Sequence, residues 1–392
     1  MIPNLLDDRT YVNRADERID PHNPFQNPTE EHDYAPDYTE IVPQIAIEGC
    51  RIPLIPSQKE KAKIRSAYTL AGVLGTMDFV LAAVFSALLN FAAGYALRHF
   101  DLQLLDGSLP QNYNSIMHSY FGDSSISIGI SLLSFLLANL ITFFVGSRIS
   151  HFRIRDYFQD KDLRTGSLLR YIAIGLWLQL LLSYAAELLS KLFANSGFHL
   201  TAAPDLSAGD SMTKLLLTVL YSCLVAPLTE ELVFRGVILK NFSRVSQRLG
   251  IFLSAFFFAL AHENLPQGIL AFFLGIFLAY ITISHNSLVP AMVVHFCVNL
   301  VTVIFPYLSS LMPNAAGTIN GIYMLCVLLF GTAAFFYTFL TERLPLSTPH
   351  QSFRGLRLAL CSAGVWLLLL THLASMMLPN FVKAFSRFFL KG

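Results

Sequence analysis

Glu230, Glu231, Arg235, His262, His295 and Asn299 stand inside a stretch, Pro227 to Asn299, that otherwise reads as membrane-embedded. A charged group at bilayer depth costs roughly 2.5–3.5 kcal/mol, and it persists where it pairs, faces a bundle interior or does chemistry. The run Pro-Leu-Thr-Glu-Glu-Leu-Val-Phe-Arg-Gly at 227–236 places two acids and a base within six residues. Uncompensated, those three would cost roughly 8–10 kcal/mol by simple addition. These residue types suit attack by an activated water. A carboxylate can take the proton of an attacking water, and His and Asn side chains can donate to the oxyanion that forms. A Glu/His/His set could instead hold Zn²⁺ with one open position.

Spacing assigns different tasks to the two acids. On a helix Glu231 and Arg235 are i, i+4 and can pair, whereas Glu230 lies about 100° around and is left out of that pair. Pro227, one turn earlier, removes a backbone donor and allows a kink beside the acids. His262 shares a face with Phe258 at i−4. The sequence His262-Glu263 does not continue into a zinc-protease helix, because Pro266 stands where a second histidine is needed. His295 and Asn299 are again i, i+4 on one face. Counted from the helix ends at ~1.5 Å per residue, Glu230 lies roughly 15 Å deep, His262 roughly 20 Å, His295 roughly 12 Å and Asn299 roughly 18 Å. The blander reading of each, a hydrogen-bonded core histidine or a structural acid, loses ground because four polar groups on three spans fall in one slab.

The elements that must position these groups are helices in a membrane. The 392 residues are 54% hydrophobic and only 14% charged, with mean hydropathy +0.52, against about 25% charged in soluble domains. We therefore expect an all-α, polytopic transmembrane bundle of about eight or nine membrane segments. Apolar spans lie at about 68–97, 126–147, 167–190, 215–239, 250–263, 267–284, 287–308, 319–340 and 358–378. The span at 250–263 is short and is expected to bend into the next near Pro266. Residues 1–58 hold eleven acids, four arginines and eight of the 18 prolines, and read as a disordered polar tail. Residues 59–210 form the N-terminal membrane helices, 211–310 a catalytic core and 311–392 the C-terminal helices with an amphipathic tail around Lys383, Arg387 and Lys391. Before the C-terminal tail, basic residues accumulate on one side of the spans, sixteen against three, from which we expect the N-terminus in the cytoplasm. No nucleic-acid motif is present. Five widely spaced cysteines, Cys50, Cys223, Cys297, Cys326 and Cys361, read as small buried hydrophobes. Of the other acids inside spans, Glu187 has Lys191 at i+4, while Asp78 has no partner nearby in sequence.

Glu-Glu-x-x-x-Arg at 230–235, Phe-x-x-x-His at 258–262 and His-x-x-x-Asn at 295–299, in this order, resemble the CPBP family of intramembrane proteases. That family includes the CAAX prenyl endopeptidase of the Rce1 type and bacterial Abi-type relatives. The resemblance covers about residues 214–305. It implies a helical bundle whose cavity opens toward the cytosol, in a multi-pass protein of the bacterial cell membrane. It implies that Glu230 activates water with help from His262, and that His295 and Asn299 complete the site as oxyanion donors or, with the others, as metal ligands. Glu231 and Arg235 would hold Glu230 in place. The substrate would be a membrane-associated peptide or protein, prenylated or otherwise anchored. Because Asn is a poor zinc ligand, we favour general-base chemistry with His295 neutral and donating over a Zn²⁺ site built from Glu230, His262 and His295. The rival reading is a non-proteolytic protein of the same fold, either a scaffold or a transporter with an intramembrane proton or ion relay. No inverted repeat supports a transporter. Convergence of Glu230, His262, His295 and Asn299 on one point separates a protease from a relay strung along the membrane normal.

Overall fold

The computed structural model describes residues 58–104, 125–158, 163–195, 212–243, 246–342 and 355–389. The described chain is helical: α1 (Gln58–Leu104), α2 (Ser125–Ile149), α3 (Thr165–Asn195), α4 (Met212–Phe242), α5 (Gln247–Leu260), α6 (Leu265–His285), α7 (Val289–Leu311), α8 (Ala316–Thr341), α9 (Gly355–Leu360) and α10 (Ala363–Phe389). Seven of these are long and apolar enough to cross a membrane, and the shorter apolar helices are α5 and the Ala363–Met377 part of α10. The expected polytopic bundle is what the chain forms. The expected tail, 1–58, lies outside the described residues but for Gln58, as does Lys391.

Helix α4 is the axis of the bundle. On one side α1, α4, α5 and α10 share a core containing Tyr68, Phe234, Phe242, Phe257, Phe258 and Leu368. On the other, α3, α6 and α7 pack through Tyr171, Leu278, Val294 and Val298. The outward faces remain apolar, as at Phe91, Phe330, Phe339 and Leu340. Such a surface is stable only against lipid tails.

Of two local features, one departs from the spans expected and one is the bend expected near Pro266. The predicted segment 358–378 is broken at Cys361–Ser362. There the Ser362 hydroxyl turns back onto the Leu358 carbonyl, and the Arg65 guanidinium from α1 caps the Cys361 carbonyl at 3.0 Å. Immediately after the break α10 crosses α1 with backbone against backbone. A Cβ on Gly72 would lie 2.0 Å from the Gly364 oxygen, and one on Gly364 would lie 2.0 Å from the Thr69 oxygen. Small residues are what permit such a crossing in lipid. The short α5 does turn sharply into α6. Glu263 takes a left-handed backbone (φ 56°), and Asn264 caps α6 by accepting from the Gln267 N–H at 2.9 Å. Pro266 sits in the first turn of α6, where its missing N–H costs nothing.

Candidate active site

Helix α4 is not a uniform α-helix, and Pro227 stands directly after the first of its irregular turns. The chain widens into π turns over Val219–Val225 and Leu232–Ile238, with the α turn Ala226–Glu231 between them. The Ala226 N–H reaches past the Ser222 carbonyl to that of Tyr221, and Pro227 has no N–H to offer the next position. The Ser222 carbonyl is thus orphaned inside the bundle, and Asn299 of α7 donates to it from Nδ2 at 2.8 Å. Glu230 and Glu231 stand on the one regular turn between the two widened ones. Single π turns of this kind commonly present functional groups.

Glu231 and Arg235 are both fully buried, with Nη1 to Oε1 at 3.0 Å. Arg235 also points Nη2 at the Gly275 carbonyl of α6 at 3.4 Å. Its guanidinium lies 4.2 Å over the Phe258 ring, a cation–π contact strengthened by desolvation. The pairing expected from spacing is present, and Glu231 has a second task that spacing did not show. The same Oε1 receives His295 Nδ1 at 2.9 Å. A carboxylate facing Arg235 accepts, so Nδ1 carries the hydrogen, and the Nε2 of a neutral ring is then a bare lone pair. This corrects the expectation of a neutral, donating His295. In that position the ring accepts at Nε2 when neutral and donates there only as imidazolium. Nε2 lies 4.0 Å from Oε2 of Glu230, whose side chain is 22% exposed.

His262 is set in the same way by a different acceptor. Its Nδ1 donates to the Phe258 carbonyl at 2.9 Å, which again leaves Nε2 as the acceptor. The Phe258 ring meets both imidazoles edge-on, at centroid distances of 4.9 Å for His262 and 5.9 Å for His295. One phenylalanine therefore gathers both histidines and the arginine. Arg235, His262 and His295 meet at Phe258, Glu231 joins Arg235 to His295, and Glu230 stands 4.0 Å from His295. Asn299 commits one Nδ2 hydrogen to the Ser222 carbonyl, which fixes its amide and leaves it a second hydrogen to donate.

Several positioning groups escaped the sequence reading. Asn139 of α2, 2% exposed, lies between Asp78 of α1 and Thr229 of α4. Its signal was available, since an Asn in an apolar span needs partners. Gly275 has no such signal; a Cβ there would lie 3.3 Å from Arg235 Nη2. Beside the cluster a cavity of about 280 Å³ is walled by Asp78, Phe79, Phe135, Phe234, Glu263 and His372 of α10, among others. Glu263 accepts from the Ser375 hydroxyl, and Glu187 pairs with Lys191 at 2.6 Å on the surface.

A zinc ion was weighed above on Glu230, His262 and His295. Among the described residues, no three His, Cys, Asp or Glu side chains come close enough together to hold one metal ion, so the donor set as placed does not fit zinc.

Fold and site together define a polytopic helical membrane protein with a buried carboxylate–arginine–histidine centre. Residues 212–301, which carry that centre, match the model of a family described as Type II CAAX prenyl endopeptidase Rce1-like. The match falls on the stretch whose motifs carried the resemblance. Among curated proteins and among solved structures, none matches.

Proposed function

We propose that the chain is an intramembrane endopeptidase that hydrolyses a peptide bond in a membrane-associated, lipid-anchored protein or peptide. Its N-terminus faces the cytoplasm, in a bacterial cell membrane. The observation that carries this reading is the pair of acceptors, Glu230 Oε2 and His295 Nε2, 4.0 Å apart on a buried wall. Two acceptors at that separation can share one water that donates to each. Glu230 takes the first proton as that water attacks the scissile carbonyl. His295, held by Glu231, accepts a hydrogen bond from the water's second hydrogen at Nε2 and so orients the attack, and Glu230 then passes the proton it took to the leaving amine as the C–N bond breaks. Glu231 and Arg235 keep the His295 ring from rotating, so the geometry is set before substrate arrives. His262 presents a second bare Nε2 in the same cluster and takes part in holding the water or the leaving group. The adjoining cavity, apolar along Phe79, Phe135 and Phe234, suits a substrate that arrives from the lipid phase. The family match supports a protease of the CAAX type.

The test compares membranes containing wild type with membranes containing Glu230→Gln. Purified protein in vesicles is also incubated with a farnesylated peptide ending in a CAAX-type tetrapeptide. Release of the tripeptide by wild type alone supports the reading. A proteome and a peptide unchanged between the two would sink it and favour the scaffold.

A further inference from the structure

We propose that Asp78, Asn139 and Thr229 form a strut across three helices that positions Glu230, which makes Asp78 a positioning residue of the reaction. The proposal rests on the reading of Glu230 as base. Asp78 is on α1 and Asn139 on α2, outside the 212–301 family match, while Thr229 is the residue before Glu230. An acid inside an apolar span needs a reason to be there, and α1 itself supplies none.

The three side chains meet end to end. The Asn139 amide stands 2.9 and 3.1 Å from the two Asp78 carboxylate oxygens and 2.7 Å from the Thr229 hydroxyl. Asn139 and Thr229 are 2% and 4% exposed, so water does not compete for these contacts. The chain of bonds is self-consistent in either charge state of Asp78. With Asp78 ionised, the Asn139 NH₂ donates to the carboxylate and its oxygen accepts from Thr229. With Asp78 protonated, the carboxyl donates to the amide oxygen and the NH₂ donates to Thr229 Oγ1. The Thr229 proton then goes to the Val225 carbonyl at 2.9 Å. In both states α4 is pinned to α1 and α2 at Thr229.

Pinning matters at this position. Pro227 and the flanking π turns remove regular hydrogen bonds from α4 just where the two acids stand, so the turn Ala226–Glu231 needs holding from outside. Asn299 holds it from the α7 side, on Ser222, and Asn139 holds it from the α2 side, on Thr229. Asp78 orients Asn139 through both carboxylate oxygens.

The experiment uses full-length protein in vesicles with the farnesylated CAAX-type peptide as probe, and measures kcat, KM and melting temperature for each variant. Asp78→Ala, Asn139→Ala and Thr229→Val should each lose roughly ten- to a hundred-fold in kcat, the scale of a base displaced by about an ångström, with KM within about two-fold. Thr229→Ser, which keeps the hydroxyl, should restore kcat. The double variant Asp78→Ala/Thr229→Val should be no slower than the worse single one, because residues acting as a unit do not add. Wild-type kcat in Thr229→Val, or losses that multiply in the double variant, would overturn the strut. If wild type leaves the probe uncut, the protease reading has failed on its own, and the melting temperatures then decide. Shifts for Asp78→Ala and Thr229→Val that are less than additive uphold the strut, and additive shifts refute it.

Discussion

Arg235 carries more of this site than any other single side chain. It neutralises Glu231, covers the Phe258 ring and reaches the α6 backbone at Gly275. Arg235→Ala leaves Glu231 as a buried, uncompensated charge, which typically costs about 3–5 kcal/mol. The expected outcome is a lower yield and an earlier melting transition, together with lost proteolysis; an inactive variant that melts with wild type would instead make Arg235 a group that acts on substrate directly. Glu230→Gln should behave in the opposite way, with proteolysis abolished and melting close to wild type, because shape is kept and only the base is lost. Metal dependence is argued on the same few atoms. With no three ligands gathered among the described residues, chelator treatment of purified protein should leave peptide cleavage intact. Loss on chelation, regained with stoichiometric zinc, would show that the histidines move together around an ion. Which residues belong to the site was legible from i, i+4 spacings within apolar spans. Their hydrogen-bonding roles were not, because a role depends on the partner. The acceptor at His295 Nδ1 is 64 residues away in sequence, at Glu231, and no periodicity connects the two.

The helices were legible for a reason specific to membranes. With no water to satisfy backbone groups, an apolar run of about 20 residues has few alternatives to a helix. What periodicity could not show was where helices deviate or touch. The first π turn of α4 leaves the Ser222 carbonyl to a partner, Asn299, from another helix. The break before α10 depends on Arg65 reaching Cys361. The crossing of α1 and α10 offers a direct check. Gly364→Ala sets a methyl group against the α1 backbone, where nothing flexible can yield. It should lower stability by about 1–3 kcal/mol, as overpacking does. Gly321→Ala is the control, since a Cβ there meets nothing within 4 Å and removing a helical glycine gains roughly 0.5–1 kcal/mol. Melting in detergent should separate the two in opposite directions; equal shifts would mean that α10 does not pack on α1 in the membrane.

At the scale of the whole molecule, the orientation in the membrane determines which compartment supplies the substrate. In the proposed orientation the start of α1 is cytoplasmic, and the structure ties a second marker to that end. Arg65, in the second turn of α1, binds the carbonyl of Cys361 at 3.0 Å, and Cys361 is exposed. Whatever side the N-terminal end of α1 faces, Cys361 faces it too. In a variant retaining only Cys361, a membrane-impermeant thiol reagent applied to intact cells should leave the protein unlabelled, and labelling should appear once the cytoplasmic face is opened. Removing residues 1–57 should not change this pattern. The topogenic cluster Lys59, Lys61, Lys63 and Arg65 survives the truncation, and the first described helix starts at Gln58. Labelling from outside in both proteins would invert the bundle, and substrate would then have to come from the opposite face. Labelling from outside in the truncated protein alone would show that the acidic, proline-rich tail itself directs insertion, against the small weight that acids carry in orienting spans.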